Sequence, residues 1–146
     1  MSMQKIDYQK LVETSADAIV VCDTKGEIVV WNGAATRIFG FEKEEALGQS
    51  LDIIIPMKQR ARHWEGYHAT MASGVTKYGA TTLRVPAVHK DGHILSIAFT
   101  VSLLCDEEAK PCQIVAIVRD ETKNFEELRT LKKRVTELTS ALESKT

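Results

Sequence analysis

The feature that most constrains the fold is a basic, aromatic-bearing segment between two groups of short β-branched runs. This segment, residues 57–73, follows Pro56, which ends the preceding apolar piece, residues 51–55, because the residue before a proline avoids helical geometry. His63, Tyr67 and Met71 lie four apart, so the spacing predicts a helix that carries them on one face. A helix between two halves of one sheet turns its inner face toward the sheet, where a small domain would keep a small-molecule pocket.

The flanking runs predict five strands. Residues 18–23 and 27–32 are joined by a Gly-bearing turn and read as a hairpin, and residues 81–88, 94–104 and 114–118 read as three further strands. Pro86 indicates an edge strand or a bulge, and Asp91-Gly92 indicates a hairpin turn. The 94–104 run alternates between large apolar residues and small residues, as a half-buried antiparallel strand does. We therefore predict an α+β fold with one mostly antiparallel five-stranded sheet and short helices on one face.

A narrow apolar seam dominates the C-terminal segment from Phe125 onward. Its members are spaced 3, 4, 3, 4, which is a heptad pattern: Leu128, Leu131, Val135, Leu138 and Leu142. The pattern fits either an amphipathic helix folded back on its own domain or a coiled coil, and the narrowness of the seam favours the coiled coil.

The composition excludes several classes of protein. The 146 residues fit one domain with a short appendage, and the net charge of -1 gives no field that would attract nucleic acid or anionic lipid. No apolar run approaches the roughly 20 residues of a membrane span, and the first residues contain no apolar signal core, so we expect a cytoplasmic location. Cys22, Cys105 and Cys112 match no metal-ligand spacing and are expected to be reduced thiols, although Cys105 and Cys112 flank a turn and could approach each other.

Three segments together resemble a PAS domain. Residues 11–51 carry its Asp-x-x-Gly turn, Trp-Asn strand end and Phe-Gly-Phe pair, residues 89–104 carry its Lys-Asp-Gly hairpin, and residues 118–128 carry its Asp-x-Thr exit into a signalling helix. The resemblance implies an N-terminal cap helix in 1–14, a PAS sensor domain in 15–122 and the start of a signalling helix in 123–146. It also implies a homodimer through the N-terminal segment, a sheet face and the C-terminal helix.

The family resemblance further implies a sensor that passes a ligand-induced change to an output domain in cis, such as a kinase, cyclase, chemoreceptor or DNA-binding domain. The segment PMKQRARHWEGY, residues 56–67, resembles the helix of haem-binding PAS domains, in which His63 would be the iron ligand. The expected small-molecule or cofactor site consists of His63, Tyr67, Leu83, Arg84, Ile97, Phe99, Val101 and Ile114. The cations that could hold haem propionates are Arg60, His68, Lys77 and Arg84.

This sequence departs from the oxygen-sensing pattern at two positions, and one of them is Ala69, where that subgroup carries a propionate-pairing Arg. Leu83 falls where that subgroup carries a gas-facing Arg, and Arg84 stands one residue further on. A one-residue offset in a strand turns the side chain to the opposite face, so stabilisation of bound oxygen by Arg is not predicted. Sensing of CO, NO or redox state remains compatible with the sequence. The alternative to a haem ligand is that His63 is a polar residue at the surface or at the rim of the pocket.

Haem b is one candidate cofactor and flavin is a weaker one. Light-sensing relatives place a reactive Cys before the proline, where this chain reads GQSLDII, and Cys22 lies on a predicted strand. Trp31 and Trp64 could stack on non-covalent FAD or simply fill the core. His89 and His93 are expected to be solvated and, with His63 and His68, match no recognised zinc spacing.

No nucleophile–base pair, paired carboxylates or phosphate loop is evident, so we do not expect catalysis by this chain. Two readings remain: a ligand-binding sensor, and a dimerisation module without ligand. We expect the sensor if the pocket is hollow, and the dimerisation module if side chains such as Phe99, Met71 and Trp64 fill it.

Overall fold

The computed structural model describes residues 4–76 and 80–145. In chain order its elements are α1 (Tyr8–Thr14), β1 (Ala18–Asp23), β2 (Ile28–Trp31), α2 (Gly33–Phe39), α3 (Lys43–Ala46), a 3-10 helix (Leu51–Ile54), α4 (Met57–Ser73), β3 (Leu83–Val88), β4 (Ile94–Cys105), β5 (Pro111–Asp120) and α5 (Thr122–Glu143). The strands form one sheet in the order β2-β1-β5-β4-β3, and every pairing is antiparallel. The predicted five-stranded antiparallel sheet with several helices is therefore confirmed.

Proline, glycine and capping residues explain where several helices and strands begin and end. Helix α4 begins directly after Pro56 and ends at Gly74, whose φ of 73° lies in the left-handed region that favours glycine. Strand β3, which contains Pro86, lies at one edge of the sheet, as a proline without an N–H requires. The apolar piece 51–55 forms the 3-10 helix with its first four residues, and Ser50 caps this helix by accepting a hydrogen bond from the amide of Asp52.

The core lies between the helices and one face of the sheet, which we call the inner face. The strand residues of this face are identified by their register and burial: Ala18, Val20 and Cys22 of β1 align with Val118, Ala116 and Ile114 of β5, which align in turn with Phe99, Val101 and Leu103 of β4. Ala34, Ala35 and Phe39 of α2 and Tyr67 of α4 complete the same cluster.

The opposite face, which we call the outer face, is exposed in part: Val21 and Ala98 are buried there, whereas other apolar side chains reach solvent. Ile117 of β5 lies there, opposite Ile19 and Thr100, and is 44% exposed. Helix α5 contacts the sheet where the helix begins, and its apolar seam is solvent-exposed. Both surfaces are therefore available to a second chain.

Asn32 holds the N-terminal half of the fold together. Its buried amide oxygen accepts hydrogen bonds from the backbone N–H groups of Ile19 (2.9 Å) and Ala35 (3.0 Å). Its amide nitrogen donates to the carbonyl oxygens of Val12 (2.8 Å) and Asp17 (3.1 Å). One side chain thus caps α2 and links it to β1 and to the end of α1.

Candidate functional site

Helix α4 presents a cluster of aromatic rings to the N-terminal half of the sheet. The His63 ring lies 4.6 Å from the Trp64 ring and 5.9 Å from the Tyr67 ring, measured between centroids. Tyr67 is buried, and its hydroxyl donates a hydrogen bond to the carbonyl oxygen of Asp23 at the end of β1. Burial raises the pKa of the Tyr67 hydroxyl, with Cys22 and Asp23 adding to the effect, so the group stays protonated and keeps donating.

Trp64 fixes the other end of this cluster. Its indole N–H donates to Oδ1 of Asp52 at 2.7 Å, and its ring lies over Gly26 in the turn between β1 and β2. Asp52 also faces Arg60, with its Oδ1 atom 3.9 Å from the Arg60 Nε. Arg60 donates in addition to the backbone carbonyls of Ile55 (3.1 Å) and Asp52 (3.3 Å). The beginning of α4 is thus tied to the 3-10 helix and to the first hairpin.

His63 has an unusual environment for a polar ring. Its Nδ1 atom is buried and has no hydrogen-bond partner among the described residues. Burial lowers the pKa of the His63 imidazole, and the nearby Asp52 carboxylate opposes this only in part. The ring is therefore neutral near pH 7. The residue as a whole is half-buried, as a polar residue at a pocket rim would be, but its Nδ1 atom is not exposed to solvent.

The structure brings most of the predicted site residues together. Tyr67 and Ile97 belong to the buried core cluster, and Phe99 and Ile114 pack against it. Leu83 pairs with Phe99, and Val101 pairs with Ala116, so both share the inner face and both are half-buried. This alignment follows from the period-2 alternation of β4, which places every second side chain on one face.

The placement of Arg84 in this site is wrong. Arg84 pairs with Ala98, whose neighbours Ile97 and Phe99 lie on the inner face, so Arg84 belongs to the outer face and is exposed. Successive strand residues point to opposite faces, so Leu83 and Arg84 cannot both line one pocket. Of the other predicted propionate partners, Arg60 is bonded to the 3-10 helix segment, His68 is exposed and Lys77 lies outside the described residues.

The three side chains that would fill the pocket of a dimerisation module are partly buried. Phe99, Met71 and Trp64 all pack against the buried core cluster. A surface hollow of about 310 Å³ lies elsewhere and is lined by polar and apolar side chains from β1, α2 and β5 and their ends: Ala16, Asp17, Arg37, Ile38, Arg119 and Asp120. Arg119 and Asp17 form a bidentate ion pair across it, with distances of 3.1 and 3.2 Å.

The β3–β4 turn contains a cluster that the sequence reasoning missed. His89 and His93 were expected to be solvated, but the His89 ring packs against Gly40 with only 23% of its side chain exposed. The two imidazoles stack with their centroids 4.5 Å apart, and Asp91 lies beside both. The signal that could have found the cluster is the His-x-Asp-x-His spacing across a predicted hairpin turn.

The three cysteines are unpaired. Burial, together with the Asp23 carboxylate, raises the pKa of the Cys22 thiol to about 12, so this thiol is not a reactive nucleophile. Cys22 lies on β1, the strand on which it was predicted. Among the described residues, no helix is both long and apolar enough to cross a membrane.

The chain belongs to the PAS fold family, whose model matches residues 6–120. A crystal structure of a PAS domain from Colwellia psychrerythraea superposes with a TM-score of 0.69 at 29% sequence identity, over 80% of this chain and 95% of that one. The family match and this superposition agree with the sheet order and helix placement described above.

Two curated sensors are also similar to this chain. The sensor protein FixL of Bradyrhizobium diazoefficiens is 31% identical over 94 residues, which is 64% of this chain and 15% of FixL. The oxygen sensor protein DosP of Escherichia coli is 25% identical over 109 residues, which is 75% of this chain and 13% of DosP. The chain thus spans only a small fraction of the curated relatives it matches, and it is homologous to their sensory modules.

Proposed function

We propose that this PAS domain is the signal-sensing module of a larger bacterial-type signalling protein and binds a small ligand or cofactor at the inner face of its sheet. The observation that carries the proposal is the buried Nδ1 atom of His63, which has no hydrogen-bond partner in the part of the chain that the structure describes. An unsatisfied buried polar group costs about 1–3 kcal/mol, so native structures rarely retain one without a partner or a function. A ligand with a hydrogen-bond donor, or with a metal ion, supplies the missing partner.

The lining of the site sets the class of ligand. Around His63 stand the rings of Trp64 and Tyr67, and the inner face of the sheet is apolar at Ile97 and Phe99. Such a wall binds flat or aliphatic groups, and a single polar atom then fixes their orientation. Because the Tyr67 hydroxyl is engaged with Asp23, His63 is the polar group left to make that contact.

A hydrogen-bonded route connects this site to helix α5. The amide of Ser96 in β4 donates to the hydroxyl of Thr122 at 3.0 Å, and the amide of Glu121 donates to the Ser96 carbonyl at 2.8 Å. Ile97 and Phe99, which face the site, lie on the same strand immediately beyond Ser96. A ligand that displaces this strand would therefore move the first turn of α5, which leads to the output domain.

We further propose that the domain works as a homodimer. Apolar side chains are exposed on α1 (Leu11, 59%), on the outer face of the sheet (Ile117, 44%) and along the α5 seam (Leu131, 59%). Exposed apolar surfaces of this kind are normally buried against another part of the protein or against a partner. A change at the inner face would then alter how the two α5 helices pack.

Haem b is the second candidate, and His63 is the observation that favours it. A neutral, buried imidazole has the donor chemistry of an iron ligand, and DosP, a relative, is an oxygen sensor. The iron would supply gas binding or redox chemistry, while Ile97 and Phe99 would keep water from the bound group. The propionate partners fit less well, because Arg84 lies on the outer face and Arg60 is bonded to the 3-10 helix segment.

The deciding experiment purifies the wild type and the His63→Ala variant from cells supplied with haem precursor. Each protein is examined by absorption spectroscopy and by native mass spectrometry. We expect a bound molecule in the wild type that His63→Ala loses while its circular dichroism is unchanged. The control is His68→Ala, which removes an exposed histidine from the same helix and should retain the ligand.

The outcomes separate the candidates. A Soret band that depends on His63 identifies haem, and a colourless mass that depends on His63 identifies a metabolite sensor. A wild type that carries nothing and takes up no haem on titration contradicts ligand binding. It would leave a dimerisation module, in which Phe99, Met71 and Trp64 simply fill the interior.

A further inference from the structure

The turn between β3 and β4 gathers three metal-ligating side chains outside the inner-face site. The amide of His89 donates to the carbonyl of His93 at 2.9 Å, so the two histidines close the turn from opposite sides. Gly92 allows the tight reversal with a φ of 94°. As a result the two imidazoles stack, and Asp91 projects between their Nδ1 atoms.

We infer that His89, Asp91 and His93 form a binding site for a divalent transition-metal ion of the Zn²⁺ class. One ligand atom from each residue lies within 4.8 Å of the other two. The His89 Nδ1 and the Asp91 Oδ1 are 3.2 Å apart. Two ligand atoms about 2.0–2.1 Å from a tetrahedral ion stand roughly 3.3 Å apart, so this pair already has the spacing of a coordination edge.

The type of donor selects the class of ion. Two imidazoles and one carboxylate suit Zn²⁺, Cu²⁺ and Ni²⁺, whereas Mg²⁺ and Ca²⁺ prefer oxygen ligands alone. The side chains of Asp91 and His93 are 63% and 53% exposed, so water can reach an ion held there. Three protein ligands with water in the remaining position describe an open, exchangeable site rather than a closed structural one.

The surrounding contacts hold two of the three ligands in place. The amide of His93 donates to Asp91 Oδ1 at 3.0 Å, and this bond is the main reason that the pKa of the Asp91 carboxyl lies below its usual range. The His89 ring is seated against Gly40, where an added Cβ would stand 2.5 Å from its Cε1 atom. The ion would therefore meet a carboxylate and a ring whose positions do not depend on the ion.

The hairpin itself is anchored to the N-terminal half of the domain. The Lys90 amide donates to the carbonyl of Phe39 at 2.9 Å, and the Lys90 ammonium pairs with Glu45 at 2.6 Å. Metal binding would replace two existing contacts. One is the hydrogen bond that the Asp91 amide donates to His89 Nδ1 at 3.1 Å, and the other is the contact between His93 Nδ1 and the Asp91 carboxylate. The ion would then cross-link both ends of a turn that leads directly into β4.

The test is a titration of the metal-free 146-residue chain with Zn²⁺ by isothermal calorimetry, and with Co²⁺ by visible absorption. We expect one ion per chain. Loss of even an outer-shell partner lowers metal affinity about 10- to 100-fold, so His93→Ala and Asp91→Asn should each weaken binding by at least about tenfold. His68→Ala, which removes an exposed histidine elsewhere on the molecule, should bind as the wild type does.

Two results would overturn the inference. One is a wild type with no saturable binding, and the other is a His93→Ala variant whose affinity equals that of the wild type. His93 is half exposed and makes no core contact described above, so its variant should fold, and thermal unfolding without metal verifies this. The inner-face ligand proposal does not depend on either outcome, because it is tested through His63.

Discussion

Trp64 lies directly over Gly26, so closely that a Cβ atom added at residue 26 would stand 2.3 Å from two carbons of the indole ring. Real Cβ contacts essentially never come this close, so one of the two groups must move if residue 26 has a side chain. Gly26 also has a φ of 83°, which side chains rarely allow. This contact joins α4, which carries His63, to the turn between β1 and β2.

We predict that Gly26→Ala destabilises the domain by more than the cost of placing alanine at a left-handed backbone position. The left-handed conformation costs about 1–2 kcal/mol and overpacking against Trp64 adds about 1–3 kcal/mol. Gly48→Ala is a matched control, because Gly48 has the same φ of 83° but no atom of the described residues lies within 4 Å of the added Cβ. Urea unfolding of both variants should give the larger loss for Gly26→Ala.

A double-mutant cycle isolates the part that comes from Trp64. In a Trp64→Ala background the indole is gone, and Gly26→Ala should then cost no more than Gly48→Ala does. If the cost of Gly26→Ala is the same with and without the indole, overpacking against Trp64 is not part of that cost.

The local sequence predicted much of this architecture because its signals are short-range. Pro56 and Gly74 mark the two ends of α4, and the alternation of β4 assigns its inner face without knowledge of the rest of the fold. The inner-face grouping of Ile97 and Phe99 followed from the same alternation.

Other features depend on contacts between residues far apart in the chain. The contacts of Trp64 with Gly26 and of Tyr67 with Asp23 join segments separated by about forty residues, and no local periodicity encodes them. The error at Arg84 has a local cause instead. The predicted site included both Leu83 and Arg84 on the basis of a resemblance to haem-binding relatives, but neighbouring strand residues point to opposite faces.

Asn32 gives a second prediction about stability. Replacing it by Ala removes four hydrogen bonds at once and leaves the amides of Ile19 and Ala35 without their side-chain acceptor. Each unsatisfied buried group costs about 1–3 kcal/mol, so we expect a loss of about 3–5 kcal/mol in the free energy of unfolding. Asp7→Ala removes only the exposed cap of α1 and should cost about 1 kcal/mol. Urea unfolding measures both, and equal losses would contradict this role of Asn32.

The lowered pKa of His63 predicts a pH dependence whose sign can be worked out. Above the ordinary value of 6.5 the ring is neutral in both states and contributes no pH dependence. As the pH falls below 6.5, the unfolded chain binds the proton before the folded chain does, so stability decreases. The decrease stops once the pH is below the folded-state pKa. Stability from this group is thus retained at neutral pH and lost toward acid.

The measurement compares urea midpoints of the wild type and His63→Leu between about pH 7.5 and about pH 5, a range that spans histidine titration. The variant should lose less stability over this range than the wild type does, because its residue 63 does not titrate. His68→Leu controls for the removal of an exposed histidine from the same helix. Parallel curves for wild type and His63→Leu would show that His63 is not the buried neutral group described here.

The last prediction concerns the exposed seam of α5. Leu128, Leu131 and Leu138 are 52%, 59% and 58% exposed in the single chain, an arrangement that a two-stranded coiled coil would bury. We expect the wild type to sediment as a dimer. The double variant Leu131→Ala, Leu138→Ala should sediment as a monomer, or as a dimer whose affinity is at least about tenfold weaker. The reason is that each truncation removes about 1.4 kcal/mol or more of buried apolar contact. Lys133→Ala with Ser140→Ala changes two positions opposite the seam and should leave the dimer intact. A double variant at the seam that sediments like a dimeric wild type would rule out α5 pairing and leave α1 and the outer face, where Ile117 is exposed, as the interface.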